Sequence, residues 1–339
     1  NLDPVDLDLG QLRALAAVVD AGTLAAAARR LHVTTSAVSQ RLRALEGATG
    51  RVLLVRSRPV RVTPSGEEVL RLARQVELLV ADAASALGGT EEAAGDVVAR
   101  PPVLPLAVNA DSLATWVLPA LAHLAGPDAE VCLDLRREDQ AHTARLLRDG
   151  TVMGAITADA EPVPGCSAVA LGSMRYLPVA TPEVAQRWRR DPASAPVVVF
   201  DRDDDLQDDW LAARLPAGAR VDPPRHHVPA SVDFAEAVAL GWGWGLLPQV
   251  HAAAGLASGG LVPLDEVPVD VPLYWQQWKL RSPALDAAAT ALRAAARTAL
   301  VPPEVAGLHD HRGVSRRDHA VPPPPRRDHG RVGWGSDPA

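Results

Sequence analysis

The 339-residue chain has two cysteines, Cys132 and Cys166. They give neither a disulfide framework nor a zinc spacing, which suits a reducing compartment. No His-Glu-x-x-His motif and no nucleophile elbow occurs, so the groups for metalloprotease or hydrolase chemistry are missing. Cys132 lies in a strand pattern and reads as core, not catalyst. "GWGWGL" at residues 241–246 has no following Gly-Lys-Ser/Thr and follows a helical stretch, so close backbone packing explains it better than a phosphate loop. His226-His227 and His309-Asp310-His311 lack partners for a metal. The acidic run Asp201-Arg202-Asp203-Asp204-Asp205 carries Leu206 where a calcium loop needs glycine. The one long uncharged stretch, 237–264, is broken by Pro248, Gln249, His251 and Pro263 and reads as helix, buried strand and helix, not a membrane span. The opening "NLDPVDLDLG" is acidic and has no apolar signal segment. The expectation is a cytoplasmic protein that is not an enzyme, holds no metal or cofactor and does not partner a membrane.

What is present is ordinary in bulk and uneven in detail. Apolar residues make up 47% and charged residues 22%, and the length fits two or three domains. The net charge is −7, yet residues 9–63 carry nine arginines against two acids, Asp20 and Glu46. Such asymmetry points to nucleic acid at the N-terminal end.

That end reads as three short helices. Leu12, Leu15, Ala16 and Val19 recur at helical spacing and stop at Gly22. Thr23 is placed to cap a second helix with the stripe Leu24, Ala27, Ala28 and Leu31. After a break at His32-Val33, Thr34 or Thr35 caps a third helix. In "TTSAVSQRLRALE" Val38, Leu42 and Leu45 share one face, while Ser36, Ser39, Gln40 and Arg43 line another. Helix-turn-helix geometry puts this last helix in the major groove, where hydroxyls, an amide and an arginine meet bases and phosphates. In "LLVRSRPVRVTPSG" two short β-prone runs form a wing, and Arg56, Arg58 and Arg61 are read as one strand face gripping phosphates. Thr23, Thr34 and Thr35 join this set as candidate DNA contacts. The alternative is a small helical domain with a solvated charged face.

A long helix follows from Pro64, with Val69, Leu72, Val76, Leu79, Ala83 and Leu87 at spacings of three and four. This seam suits a second copy, or the helix packs on its own domain. "GGTEEAAGD" then breaks it. The segment "AAAARRLHVTTSAVSQRLRALE…LLVRSRPVRVTPSG" with its linker helix resembles the winged helix-turn-helix of LysR-type transcriptional regulators. Thr35 departs from that family, which often has glutamine there, so the operator sequence does not carry over.

From Val103 strands alternate with helices, predicting an α/β domain with a mainly parallel sheet and ligands beyond the strands' carboxyl ends. At one such end Asn109-Ala110-Asp111-Ser112 opens a helix, kinked at Pro119. This run either supplies a carboxylate site or merely caps the helix. The acidic run at Asp201 pairs with a cationic ligand group or is a solvated loop, and Ser231 opens another helix. "LAVNADSLATWVLPAL", "PVVVFDRDDD" and "LYWQQW" resemble the LysR-type subgroup that senses arginine or lysine, the ArgP/LysG group. That resemblance implies a two-lobed C-terminal half like a periplasmic binding protein, with an effector cleft. The cleft candidates are Asn109, Asp111, Ser112, Trp116, Asp201 and Ser231.

The expected organisation is therefore a winged helix-turn-helix at 1–63, a dimerisation helix at 64–88 and a hinge at 89–102. The α/β effector domain spans 103–301, one lobe from 103–172 with 275–301 and the other from 173–274. A Pro/Arg-rich tail at 302–339 has too little apolar surface to fold alone. The resemblance implies a transcriptional regulator, an activator, of amino-acid export or metabolism genes. Its partners are promoter DNA, a second or further copies of itself and RNA polymerase. A DNA-architectural or replication-control protein, binding A·T-rich or bent DNA without effector control, is the alternative.

Overall fold

The computed structural model describes residues 7–55, 57–86, 103–126, 129, 131–138, 140–216 and 221–302. Three helices open the chain: α1 (Leu9–Ala21), α2 (Leu24–Arg30) and α3 (Thr35–Thr49). The side chains of Asp8, Thr23 and Thr34 accept backbone N–H groups at their starts, satisfying donors the helices cannot. Gly22 and Gly50 end α1 and α3 in the left-handed region. Leu12, Leu15, Val18, Ala27, Val38, Leu42 and Leu45 turn inward and form one core with Leu53, Leu70 and Ala73. Strands β1 (Leu54–Val55) and β2 (Arg61–Val62) pair antiparallel as the wing. Glu46 accepts the Leu53 N–H at 2.9 Å, tying the wing to α3. Gly66 lies against the Leu53 carbonyl with no room for a side chain, so the wing sits directly on α4 (Pro64–Ala86).

The second core is built on a seven-stranded sheet. Its strands are β3 (Val103–Val108), β4 (Cys132–Arg137), β5 (Gly154–Thr157), β6 (Cys166–Ala180), β9 (Gly245–Pro248), β10 (Val262–Pro263) and β11 (Val269–Trp278). A smaller pair, β7 (Val197–Val199) and β8 (Arg225–His227), lies beyond it. The helices are α5 (Ala110–Ser112), α6 (Leu118–Leu121), α7 (Gln140–Arg148), α8 (Pro182–Arg190), α9 (Leu206–Ala212), α10 (Ser231–Ala239), α11 (Gln249–Ser258) and α12 (Pro283–Ala299). Between α5 and α6 the helix widens into a π-turn at Leu113–Val117. Pro119 has no N–H for the carbonyl four residues earlier, and the widened turn just before it absorbs that loss.

The sheet is mixed, and this corrects the expected mainly parallel one. β3 runs parallel to β4 and β5, but β11 pairs antiparallel with both β5 and β6, and β6 pairs antiparallel with β9 and β10. The two long strands β6 and β11 face each other from Val269 opposite Tyr176 to Trp278 opposite Cys166, with a register shift at Leu273/Tyr274. Strands this long, paired with each other, tie together the two groups of βα units that a purely parallel winding leaves separate. Among the described residues no single helix is long and apolar enough to cross a membrane.

Candidate functional site

The N-terminal surface is set by α3. With Val38, Leu42 and Leu45 buried, Thr35, Ser36, Gln40 and Arg43 are exposed and Ser39 is half-buried. Thr35, Ser39, Gln40 and Arg43 make no side-chain hydrogen bond or ion pair among the described residues. Thr34 is the cap of α3, its hydroxyl accepting Ala37 N–H at 3.2 Å and meeting the Ser36 hydroxyl at 2.9 Å. Thr23 plays the same part for α2. Both threonines are exposed, but their oxygens are engaged in fixing the two helices. Arg61 is exposed on β2, whereas Arg58 sits in the turn before Pro59, so the two do not share a strand face. Arg56 lies outside the described residues.

The second site forms where β3 runs into α5. Asp111 does not cap the helix. Its Oδ2 accepts the Tyr176 hydroxyl at 2.6 Å and its Oδ1 accepts the Ser231 hydroxyl at 2.5 Å. Three elements distant in sequence, α5, β6 and the start of α10, thus meet on one carboxylate. Burial, and then the Asp111 carboxylate, pushes the Tyr176 phenol well above its ordinary range, so it stays a neutral donor. Asp204 stands close enough to raise that phenol further. Its own carboxyl is raised, first by burial and also by Asp201 and Asp111, against the lowering N–H bonds from Leu206 and Phe200. Neither Asp111 nor Asp204 has an ion pair among the described residues. The site is therefore a half-buried group of carboxylates with no cation paired to it among the described residues.

The remaining candidates are placed differently. Asn109 precedes α5 without capping it, and its buried Oδ1 has no partner among the described residues, nor has the hydroxyl of the fully buried Ser112. Both are polar atoms available beside Asp111. Asp201 accepts Asp203 N–H in a tight local turn and reaches the site through its charge on Asp204. Trp116 instead lines a separate cavity of about 450 Å³ with Met174, Val250 and Leu300, whose lining includes neither Asp111 nor Ser231. Tyr176 and Asp204 escaped the sequence reading. Tyr176 is one of two tyrosines in the chain, and a lone phenol in an apolar strand is the signal that marks it. Among the described residues no cluster of His, Cys, Asp or Glu is arranged for a metal.

A winged helix-turn-helix joined by one long helix to an α/β domain with a polar, charged site defines a DNA-binding regulator with a ligand-sensing half. The chain belongs to the LysR family: residues 9–67 match the bacterial regulatory helix-turn-helix protein of the lysR family and residues 101–297 the LysR substrate binding domain. It is similar to the lysine export transcriptional regulatory protein LysG of Corynebacterium efficiens, 44% identical over 305 residues that cover 88% of this chain and 100% of the relative. In structure it is similar to ArgP from Mycobacterium tuberculosis, with TM-score 0.77 and 43% identity over 88% of this chain and 100% of that one. Full-length LysG from Corynebacterium glutamicum with bound effector Arg gives TM-score 0.71 and 39% identity, covering 87% and 100%. The protein is a transcriptional regulator, not an enzyme.

Proposed function

We propose that the protein is a cytoplasmic, homo-oligomeric regulator that binds promoter DNA and is controlled by arginine or lysine held beside Asp111. DNA is read by Thr35, Ser36, Ser39, Gln40 and Arg43 and gripped by Arg58 and Arg61 of the wing, with RNA polymerase as the downstream partner. The target is an amino-acid export gene, as the name of the Corynebacterium efficiens relative supports, and the outcome is activation. Two copies pair through Leu72, Val76 and Leu79 of α4, of which both leucines are exposed in the single chain.

The carrying observation is the junction of Asp111, Tyr176 and Ser231 beside Asp204, with no cation paired to it among the described residues. We assign the effector's ammonium and side-chain cation to Asp111 and Asp204, and its carboxylate to the Ser231 hydroxyl and the free N–H groups at the start of α10. Asp111 and Ser231 belong to opposite lobes, 103–172 with 275–301 and 173–274, in a periplasmic-binding-protein-like cleft. A ligand entering there changes the lobe angle and the spacing of the reading heads. The arginine-bound neighbour favours this reading over a DNA-architectural one.

Calorimetric titration of the full chain with arginine, lysine and glutamate tests it. Saturable binding of the basic amino acids and none of glutamate is expected. No binding of either basic amino acid removes the effector assignment.

A further inference from the structure

On the far side of the effector domain, α4 takes part in two cores. Leu70 and Ala73 pack into the head, and Leu78, two turns on from Leu70, packs into the core of the effector domain. Between them on the helix stands Arg74, with an 11% exposed side chain. One guanidinium nitrogen donates to Asp20, at the end of α1, at 2.7 Å. The other donates to the Thr151 hydroxyl at 2.7 Å and to the Asp149 carbonyl at 3.3 Å, with the Asp149 carboxylate at 3.7 Å. Head, linker helix and effector domain are thus held by a single side chain.

The loop that receives Arg74 is itself fixed. Asp149 accepts Thr151 N–H at 2.8 Å. Gly150 has a φ of +69°, and a β-carbon there would come within 2.9 Å of the Arg71 Cα, so the loop backbone lies directly on α4. One turn before Arg74, Arg71 reaches the Arg148 carbonyl at 3.5 Å and stacks over the Trp278 ring at 5.2 Å. Beside these contacts the interface is open, with a cavity of about 250 Å³ lined by Asp20, Glu77, Val103 and Asp134. Asp20 of the head and Thr151 of the effector domain both line this cavity, so between them the directional contacts of Arg74, not close packing, decide the distance.

We propose that Arg74 is the positioning residue that sets the orientation of the DNA-reading head relative to the effector domain. The planar fork is what the position requires, because its two ends serve opposite sides. A lysine ammonium is a single point and cannot hold both at these distances. The latch grips the loop that leads through Met153 into β5, and Met153 N–H bonds Pro105 of β3 at 2.9 Å. β3 runs from this cavity to the Asp111 site, so the same strand touches both. In a paired regulator the head orientation fixes the separation of two recognition helices, for which successive major grooves allow about 34 Å or its multiples.

The test is a distance measurement by pulsed electron paramagnetic resonance on the full chain without added amino acid. Spin labels go on native Cys132, which is exposed and not in the core its strand pattern suggested, and on Ala48→Cys in the head, diluted with unlabelled chain so that only distances within one chain are read. One narrow distance is expected for the parent. Arg74→Ala, Arg74→Lys and Thr151→Val are each expected to broaden or shift it by several ångström while the melting transition stays cooperative. Thr151→Val removes one hydroxyl at nearly constant volume and keeps the test decisive if an Arg74 variant fails to fold. An unchanged distribution in Thr151→Val, or in a folded Arg74→Ala, overturns the proposal. Because no effector is present, this outcome is independent of whether arginine binds.

Discussion

The hydroxyl of Ser231 donates to the carboxylate of Asp111 across 120 positions of the chain, at 2.5 Å. The same carboxylate also accepts the Tyr176 hydroxyl, so α5, β6 and α10 are joined at one residue. The proposed effector assignment gives Asp111 the cation and the Ser231 hydroxyl the carboxylate, and the two roles predict different losses. Asp111→Asn is expected to weaken arginine binding about ten- to a hundredfold, the scale of a charged hydrogen bond of about 1.5–3 kcal/mol. Ser231→Ala is expected to weaken it only about fivefold, the scale of a neutral bond of about 1 kcal/mol. Calorimetry on the two variants checks both, and equal losses speak against the division of roles.

Asp204 supplies a pH dependence. Its carboxyl is raised above the ordinary range, first by burial, so it takes up a proton at a higher pH than exposed carboxylates do. Binding of a cation needs it ionised. Arginine affinity is therefore expected to fall as pH drops through that raised value, and Asp204→Asn to be weaker at neutral pH with a flatter profile. A titration series running from neutral into acidic pH separates this from a structural defect, which lowers affinity at every pH alike.

Leu72 and Leu79 lie exposed on one stripe of α4. Glutamate at both is expected to leave the single chain folded and to dissociate the oligomer, because neither side chain belongs to a core. Sedimentation and circular dichroism together report this outcome. An unchanged oligomer places the pairing elsewhere.

Arg61 stands exposed on the wing. Its replacement by alanine is expected to weaken binding to any duplex about equally and to reduce the salt slope by about one, as loss of one phosphate contact does. Gln40→Ala is expected to spare binding to random duplex. Fluorescence anisotropy on a mixed-sequence duplex at several salt concentrations distinguishes the two.

The head was the more legible half of the sequence, because its contacts are local. Stripes such as Leu12-Leu15-Val19 and Val38-Leu42-Leu45, with Thr23 and Thr34 as caps, specify helices within a few residues of each other. The segment of alternating β9 and α11 was likewise readable from Pro248 and the apolar run before it. The pairing of β6 with β11 was not, since 95 positions separate Arg175 from its partner Asp270 and no periodicity encodes a register over that distance. The same reason hid the partners of Asp111. Its place at a strand end marked it as a candidate, but Tyr176 and Asp204 come to it only through the antiparallel crossing and the loop after β7. In the acidic run the sequence gives no order of importance. Burial singles out Asp204, while Asp201 engages its own backbone turn.

Because Leu78 sits in the effector core while Leu70 and Ala73 sit in the head, the chain has no clean seam at which to cut. A fragment beginning after α4 leaves a leucine-sized hollow in the sensing half, and deleting a buried leucine side chain elsewhere costs about 2–5 kcal/mol. Grafting this head onto another sensor meets the mirror-image difficulty. The workable joint lies inside α4, between Arg74 and Leu78, and a chimera spliced there inherits from each parent the half of the helix that its own core already fits.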